Sequence, residues 1–293
     1  MRVLVTGAAG QVGRELVELC LNSAIDVIAC TRDQIDISNF QQVSEVIKQY
    51  SPTVVVNAAA YTAVDKAETE KEKAWQVNSE GAKNLAIICS QLHISLIHIS
   101  TDYVFNGEKS SPYSETDQTN PTSEYGKSKL AGELAIKERC SDFYILRTSW
   151  VFGQYGNNFV KTMLRLAKKD QALRVVADQK GTPTPALMIA EAIIALIKDN
   201  LSLANGIYHL GGLPEVTWYE FARSIIETAS KLGLCNKVDI EPITTADFPT
   251  PAKRPKNSSL SSQKLFSGLK ITQSHWQEYL ERVLSEKSNG LSL

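Results

Sequence analysis

The sequence predicts an α/β fold built on a doubly wound parallel sheet, followed by a smaller second domain. Two observations lead to this prediction. Short β-branched segments alternate with longer segments of helical periodicity through residues 1–150, and a glycine-rich turn follows the first short segment. Such alternation is typical of crossover units, in which helices cover both faces of a parallel sheet.

The elements of this first part follow one another in strict alternation. Strands are predicted at residues 2–5, 26–30, 53–57, 95–99 and 143–147. Helices are predicted between them at residues 11–23, 40–50, 71–91 and 123–139, where apolar positions recur every three or four residues. A helix between successive strands is the connection that parallel pairing requires.

The pattern changes after Trp150, so two domains are expected, at 1–150 and 151–293. Helices are predicted at 158–168, 186–199 and 217–231, and one more strand at 206–210. Thr217 is a suitable N-cap for the last of these helices, and Gly233 is a suitable end. The proline-rich segment 241–257 is predicted to be an ordered loop. Some elements of the second domain are expected to return to the first.

Composition excludes several functional classes. The 293 residues include 31 basic and 32 acidic side chains, so no nucleic-acid partner is expected. No apolar stretch approaches the ~20 residues that span a bilayer, and no signal peptide precedes the first strand, so we expect a cytoplasmic protein with no membrane partner. The five cysteines are widely spaced and the four histidines form no cluster, so no metal site is predicted.

A glycine-rich turn lies directly after the first predicted strand. Gly7, Gly10 and Gly13 are spaced three residues apart and lead into a predicted helix. Glycine permits a tight turn and the close approach of a pyrophosphate, to which the helix N-terminus presents unpaired N–H groups. In this context the motif indicates a Rossmann-like dinucleotide site. The alternative is a glycine-rich turn that binds no ligand.

The residues after the second strand bear on the choice of dinucleotide. A carboxylate there usually binds the ribose 2′-hydroxyl of NAD, whereas this chain has Arg32. Because an arginine suits a 2′-phosphate, NADPH is favoured as the cofactor, and NADH stays possible. Asp36 and Ile37 follow at a position suited to the adenine edge. For Asp36, capping of the next helix is an equally good interpretation.

Three further side chains suit the reduction of a carbonyl group. Tyr125 and Lys129 are four residues apart on a predicted helix, and Thr101 follows the strand at 95–99. A phenol could protonate the alkoxide that forms as hydride arrives, while the Thr101 hydroxyl orients the same oxygen. Lys129 is expected to lower the pKa of Tyr125 by favouring the phenolate. The alternative is a tyrosine beside a solvated lysine on a helix surface.

Together these residues resemble the extended short-chain dehydrogenase/reductase family. The resemblance covers nearly the whole chain, and its matching blocks are 3–13, 57–65, 100–105, 125–133, 147–153, 178–184 and 251–255. It is similar above all to members that act on nucleotide sugars. The resemblance implies an NADPH-dependent enzyme that reduces the C4 ketone of dTDP-4-dehydro-L-rhamnose to give dTDP-L-rhamnose.

The resemblance also implies which residues contact each ligand. It places the cofactor against Gly10, Gln11, Val12, Asp36, Ile37, Ala60, Tyr61, Thr62, Tyr125 and Lys129. It places the nucleotide sugar against Thr101, Asp102, Tyr125 and Trp150. Arg254 is a candidate for the diphosphate, since a guanidinium binds phosphate oxygens in bidentate fashion. Trp150 could instead be a core aromatic, and Asp65, Lys66 and Glu68 are interpreted as a solvated or helix-capping cluster.

Two departures from the family refine this reading. Dehydratases of the family resemble Ser-Thr-Asp-Glu where this chain has Asp102 and Tyr103, so the missing carboxylate argues against water elimination. Magnesium-dependent dimers of similar reductases use acidic residues, of which Glu15 matches the first, but Leu187 replaces the second and 288–293 has no acidic side chain. Leucine cannot ligate magnesium, so the metal is doubtful and a monomer is favoured over a metal-bridged homodimer.

Two other functions stay open on the sequence. One is another nucleotide-sugar 4-ketoreductase, because the shape of the pocket selects the sugar. The other is a non-catalytic NADP-binding regulatory subunit resembling that of methionine adenosyltransferase, because fold alone does not separate an enzyme from such a subunit. The presence of Thr101, Tyr125 and Lys129 favours an enzyme.

Overall fold

The computed structural model describes residues 1–169 and 172–288. The strands are β1 (Arg2–Thr6), β2 (Asp26–Cys30), β3 (Val54–Asn57), β4 (Ser95–Thr101), β5 (Phe143–Thr148), β6 (Val151–Phe152), β7 (Leu173–Val176), β8 (Lys180–Gly181), β9 (Thr184–Pro185), β10 (Gly206–Leu210), β11 (Val216–Thr217) and β12 (Ile240–Ile243). The helices are α1 (Gln11–Asn22), α2 (Phe40–Tyr50), α3 (Lys71–Trp75), α4 (Gly81–Gln91), α5 (Glu124–Arg139), α6 (Phe159–Ala167), α7 (Ala186–Lys198), α8 (Trp218–Lys231), α9 (Gln263–Leu269) and α10 (Trp276–Ser288). Within the described ranges, no helix has the length and apolar character needed to cross a membrane.

Six of the strands form one parallel sheet in the order β2-β1-β3-β4-β5-β10. The order reverses between β1 and β3. At such a switch point the loops after neighbouring strands separate, and open α/β sheets bind their ligands in the crevice between them. The predicted doubly wound α/β fold is confirmed, and the glycine-rich turn lies at its switch point.

Both faces of this sheet are covered by helices. Val3 and Val5 of β1 are buried in one core with residues of α1 and α7. Leu4, between them, is buried in a second core with residues of α2, α4 and α5. Successive side chains of a strand point to opposite faces, so a strand buried on both sides has a continuous apolar sequence.

The chain after β5 forms a third core and also returns one strand to the main sheet. Phe152, Phe221 and Trp276 pack together in this third core, which α6, α8 and α10 enclose. β10 pairs with β5 at the edge of the six-stranded sheet. α8 begins as expected, because Thr217 and Glu220 form a capping box. The division of the chain at residue 150 stays a prediction.

Several elements differ from those expected. The predicted helix at 71–91 is interrupted, since π-helical residues Gln76–Glu80 lie between α3 and α4. The segment 241–257 is not entirely a loop, because it begins within β12 and continues into a 3-10 turn at Thr245–Asp247. β12 pairs with β7 outside the main sheet. Such short paired strands lack the periodicity that identifies a strand in sequence. Residues 289–293 of the tail lie outside the described chain.

Candidate active site

The turn between β1 and α1 packs tightly against the backbone that follows β3. Gly7 has a φ of +67°, and a Cβ at this position would lie 2.6 Å from the backbone nitrogen of Ala59. A Cβ on Gly13 would lie 2.3 Å from the carbonyl oxygen of Gly7. Glycine at position 7 therefore lets the turn approach the backbone after β3, and glycine at position 13 lets the first turn of α1 approach the glycine turn.

The N-terminus of α1 is suited to an anion. Gly10 is the N-cap residue, no side chain within the described chain caps the helix, and its first turn contains no acidic residue. The unpaired N–H groups and the positive end of the helix dipole are thus free to meet a pyrophosphate. The Gln11 side chain accepts a hydrogen bond from Nδ2 of Asn158 at 2.9 Å, which ties the turn to the start of α6. Val12 is buried beneath it.

The residues after β2 lie beside this turn. Arg32 is exposed, so its guanidinium can reach a ligand from solvent. The carboxylate of Asp36 accepts hydrogen bonds from the backbone N–H and hydroxyl of Ser38, at 3.0 and 2.7 Å. The cap of α2 is Asn39, so the interpretation of Asp36 as the capping residue is wrong. Ile37, next to Asp36, is buried.

The loop at 60–62 is held by a residue that the sequence did not single out. Asn78 is buried in the π-helical segment, where it accepts from the backbone N–H of Tyr61 at 2.8 Å and donates to its carbonyl at 3.0 Å. The same amide donates to the hydroxyl of Ser128 at 3.1 Å, and that hydroxyl donates to the carbonyl of Tyr125. Asn78 therefore links the loop to α5. One asparagine within an apparently continuous helix gave no signal, although π-helical segments are frequent at functional sites.

Thr101 and Tyr125 meet at the carboxyl edge of the sheet. Thr101 ends β4 and Tyr125 lies in the first turn of α5, and both side chains are buried. The Thr101 hydroxyl also lowers the pKa of the Tyr125 phenol, against the effect of burial. The Tyr125 ring also packs edge to face on Tyr103, with ring centroids 5.5 Å apart. The structure thus brings the predicted proton donor and its predicted orienting hydroxyl together.

Lys129 does not act on Tyr125 as expected. Its Nζ donates to the carbonyl oxygen of Ile99 at 2.7 Å and lies 3.3 Å from Nε2 of His98. Burial raises the pKa of Tyr125, the Thr101 hydrogen bond opposes this shift, and Lys129 is not among its causes. Burial also lowers the pKa of Lys129 itself to about 8, against the influence of Glu133. The expectation that Lys129 lowers the pKa of Tyr125 is therefore wrong, because the lysine nitrogen binds β4.

Asp102 presents a buried carboxyl group to the same site. Thr101 donates to its Oδ1 at 3.0 Å, while its Oδ2 has no hydrogen-bond partner among the described residues. Burial raises the pKa of Asp102 to about 7, against the smaller effects of its hydrogen bonds and of Arg254. A buried polar atom without a partner is unusual, and this one is suited to a ligand hydroxyl.

Arg254 lies above the site on the proline-rich segment. One guanidinium nitrogen donates to the hydroxyl of Tyr103 at 2.6 Å, and another lies 2.7 Å from Oδ2 of Asp65. Asp65 also accepts from the backbone N–H of Ala252 at 3.2 Å. Asp65 is the N-cap residue of the 3-10 turn Lys66–Glu68, as one of the two interpretations expected, but its side chain does not cap that turn and instead joins the loop after β3 to the proline-rich segment. These two residues are far apart in sequence, so no local pattern could reveal the contact.

Trp150 lies between β5 and β6 and belongs to the edge of the third core. Its ring stacks on Trp218, with centroids 3.6 Å apart and planes within 10°. Its φ of +48° is unusual for a bulky residue and shows that the surrounding packing holds its backbone. The side chain is only partly buried, so a face or edge can still meet a ligand.

Glu15 and Leu187 lie close together in the structure. Glu15 and Leu187 line the same small cavity, together with Tyr279 and Arg282. Within the described chain, no group of three or more histidine, cysteine or acidic side chains could hold a metal ion. Magnesium needs oxygen ligands, which the leucine side chain does not offer.

The chain matches the family model described as RmlD substrate binding domain over residues 1–289. It is 45% identical over 287 residues to a dTDP-4-dehydrorhamnose reductase from Aggregatibacter actinomycetemcomitans, covering 96% of this chain and 98% of that relative. The solved structure of a dTDP-4-dehydrorhamnose reductase from Clostridium acetobutylicum has a TM-score of 0.91 at 39% identity, covering 98% and 100% of the two chains. A Bacillus anthracis dTDP-4-dehydrorhamnose reductase in complex with NADP has a TM-score of 0.90 at 38% identity, covering 97% and 99%. The chain therefore belongs to the dTDP-4-dehydrorhamnose reductase family.

Proposed function

We propose that this protein is an NADPH-dependent oxidoreductase that reduces the C4 ketone of dTDP-4-dehydro-L-rhamnose to give dTDP-L-rhamnose. The observation that carries the proposal is that Thr101 and Tyr125 are both buried at the carboxyl edge of the sheet, where the Thr101 hydroxyl influences the pKa of the Tyr125 phenol. The glycine turn that suits a dinucleotide lies at the switch point of the same sheet. Its relatives named as dTDP-4-dehydrorhamnose reductases supply the identity of the sugar.

The turn at Gly7, Gly10 and Gly13 would hold the pyrophosphate of NADPH, with the loop at 60–62 beside it. When bound, NADPH supplies the hydride that reduces the ketone. Burial raises the pKa of Tyr125, so its phenol keeps its proton at neutral pH and can donate it to the alkoxide that develops on the sugar oxygen. Thr101 donates to Asp102 in this structure, and its hydroxyl is close enough to the phenol to hold the reacting oxygen beside it.

The remaining site residues are assigned to the nucleotide sugar. The unpartnered Oδ2 of Asp102 is suited to a sugar hydroxyl. Arg254 is assigned to the diphosphate, with Asp65 and Tyr103 holding its guanidinium in place. Trp150 is assigned to the sugar-nucleotide side of the site. We further assign residues 151–293 mainly to substrate binding, because Arg254 and the segment around it come from that part.

The proposal extends to a cytoplasmic monomer. Cys20, Cys30, Cys89 and Cys140 carry free thiols, which favours a reducing compartment. The leucine beside Glu15 argues against a dimer bridged by magnesium. Sedimentation velocity with and without Mg²⁺ tests this part, and a magnesium-dependent dimer would contradict it.

The reaction is tested by single-turnover oxidation of NADPH against a panel of nucleotide-linked 4-keto sugars. The expected result is fastest oxidation with dTDP-4-dehydro-L-rhamnose and slower oxidation with NADH, since Arg32 suits a 2′-phosphate. Faster oxidation with a different 4-keto sugar would identify another 4-ketoreductase. No oxidation with any sugar, together with co-purification of a methionine adenosyltransferase, would identify a regulatory subunit instead.

A further inference from the structure

A line of buried polar side chains crosses the sheet beneath Thr101 and Tyr125. It runs from Thr6 of β1 through Asn57 of β3 and His98 of β4 to Lys129 of α5, and none of the four is more than 2% exposed. Thr6 Oγ1 donates to Asn57 Oδ1 at 2.7 Å, and Asn57 Nδ2 lies 2.9 Å from His98 Nδ1. His98 Nε2 then lies 3.3 Å from Lys129 Nζ.

The orientation of the Asn57 amide is fixed by a backbone group. The N–H of Ala59 lies 3.2 Å from Asn57 Oδ1, and a backbone N–H can only donate, so this atom must be the amide oxygen. The amide nitrogen therefore faces His98. Because an amide nitrogen can only donate, Nδ1 of His98 must be the acceptor and carries no proton.

The remaining ring nitrogen of His98 must then carry the proton. Burial is the main cause that holds the pKa of His98 well below its usual value, so the ring is neutral and has one N–H. With Nδ1 accepting from Asn57, that N–H is on Nε2 and points toward Lys129. An ammonium group has three donors and no acceptor, so an ammonium at Lys129 would place one of its N–H donors against the Nε2–H donor of His98. A neutral amine can accept from Nε2–H and still donate to the carbonyl of Ile99.

We propose that Asn57 and His98 are positioning residues that turn a protonated Nε2 toward Lys129 and thereby favour the amine form of this lysine over its ammonium form. Among the residues that the structure describes, the other charged group that acts on Lys129 is Glu133 of α5, which has the opposite effect. Glu133 is already bound by Arg147 of β5 at 2.6 Å and by Ser100 of β4 at 2.5 Å.

The consequence for catalysis rests on the proposed function. In the amine form, Lys129 carries no charge that could favour a phenolate at Tyr125. This agrees with the pKa of Tyr125, which burial raises and which Lys129 does not lower. Tyr125 would therefore meet the developing sugar alkoxide as a phenol that still holds its proton.

The first test reads the tautomer of His98 directly, without cofactor or substrate. Protein labelled with ¹⁵N in its histidine rings is examined by NMR, and the His98 signals are identified by their loss in His98→Phe. The proposal predicts a protonated Nε2 and an unprotonated Nδ1. Thr6→Val is the control and should leave the tautomer unchanged, because Ala59 alone fixes the amide. A proton on Nδ1 in the wild-type protein would overturn the proposal.

The second test separates the tautomer from burial. The protonation of Lys129 is followed by the ¹³C shift of its Cε as pH changes, with the signal identified by its loss in Lys129→Met. His98→Phe removes the opposing N–H but keeps the site apolar, so the proposal predicts a midpoint about one pH unit higher. An unchanged or lower midpoint would show that burial alone sets the charge. Asn57→Asp should move the proton to Nδ1 and is the second variant if His98→Phe does not fold. Neither test uses turnover, so both keep their meaning if the proposed reaction fails.

Discussion

Burial, rather than a neighbouring positive charge, sets the protonation of Tyr125. The ring is enclosed by Tyr103 and the start of α5, and its pKa is raised as a result. For a reductase this direction is useful, because the donor must still hold its proton when the ketone oxygen becomes basic. The role of Tyr125 as the proton donor stays a prediction, but the electrostatic cause predicted for its pKa shift was wrong.

Replacing Tyr125 with phenylalanine tests its role as the proton donor. The ring would still pack on Tyr103, so NADPH binding and folding should be retained, while the rate of hydride transfer should fall by about 10²–10⁴-fold. The measurement is single-turnover oxidation of NADPH with dTDP-4-dehydro-L-rhamnose. Tyr144→Phe is the matched control, since the Tyr144 hydroxyl donates to the backbone carbonyl of Leu201, which is not a residue of the site. Equal rates in Tyr125→Phe and the wild type would remove Tyr125 from the chemistry.

Asp102 should make stability depend on pH. Burial raises its folded-state pKa to about 7 from an ordinary value of 3.8, so the folded protein holds a proton that the unfolded chain releases between these values. Stability is therefore expected to fall as pH rises through this window. Asp102→Asn removes this dependence on pH. The free energy of unfolding of the variant, relative to that of the wild type, should therefore rise by about 2–3 kcal/mol between pH 5 and pH 8. Urea unfolding at the two pH values measures this difference. A constant difference would show that Asp102 ionises normally.

At the scale of elements, the glycine turn and α1 form one unit in which sequence and structure agree closely. The signal in the sequence is local, because Gly7, Gly10 and Gly13 follow β1 directly and lead into α1, although Gly7 is also required by packing against the backbone after β3. This is why the glycine turn could be predicted. The main strands and helices could also be predicted, because their periodicity is regular. The π-helical break that carries Asn78 could not be predicted, since its role depends on contacts with Tyr61 and Ser128 from other elements.

Two alanine substitutions in this unit should have different effects. A Cβ on Gly13 would collide with backbone atoms of Gly7 and Ala8, so Gly13→Ala should lower the free energy of unfolding by about 1–3 kcal/mol and weaken NADPH binding. A Cβ on Gly10 meets only the carbonyl oxygen of Gly7, at 3.2 Å. Gly10→Ala should therefore weaken NADPH binding with little loss of stability. Thermal unfolding and a fluorescence titration with NADPH measure both quantities, and equal stability losses would contradict the packing argument.

At the scale of the whole molecule, long-range polar contacts join the two parts of the chain around the site. Asp65 binds both Ala252 and Arg254, and Gln11 binds Asn158. The order of elements could be predicted because the periodicity of each helix or strand is visible within its own short segment of the sequence. These contacts could not, because they depend on how separate segments meet in space. The same limit explains why the sequence did not reveal the contact of Asp65 with Arg254 or that of His98 with Lys129.

Asp65→Asn should act on binding of the nucleotide sugar rather than on the chemistry. The pair with Arg254 is partly exposed, so its loss should cost about 1 kcal/mol, or roughly fivefold in affinity. We expect KM for the sugar nucleotide to rise by about that factor, with kcat nearly unchanged, because Arg254 is less well placed. Steady-state kinetics measure the split. Asp26→Asn, which removes the exposed partner of Arg2, is the control. A fall in kcat at constant KM would contradict this role.

The central claim is that this site delivers a hydride from NADPH to C4 of the sugar, with Tyr125 as the proton donor. The most direct measurement uses NADPH deuterated at the transferable position of the nicotinamide, with dTDP-4-dehydro-L-rhamnose as substrate and product analysis by NMR. The account predicts dTDP-L-rhamnose carrying one deuterium at C4, formed much more slowly by Tyr125→Phe. Product without deuterium at C4, or equal rates of labelling in the two proteins, would contradict it.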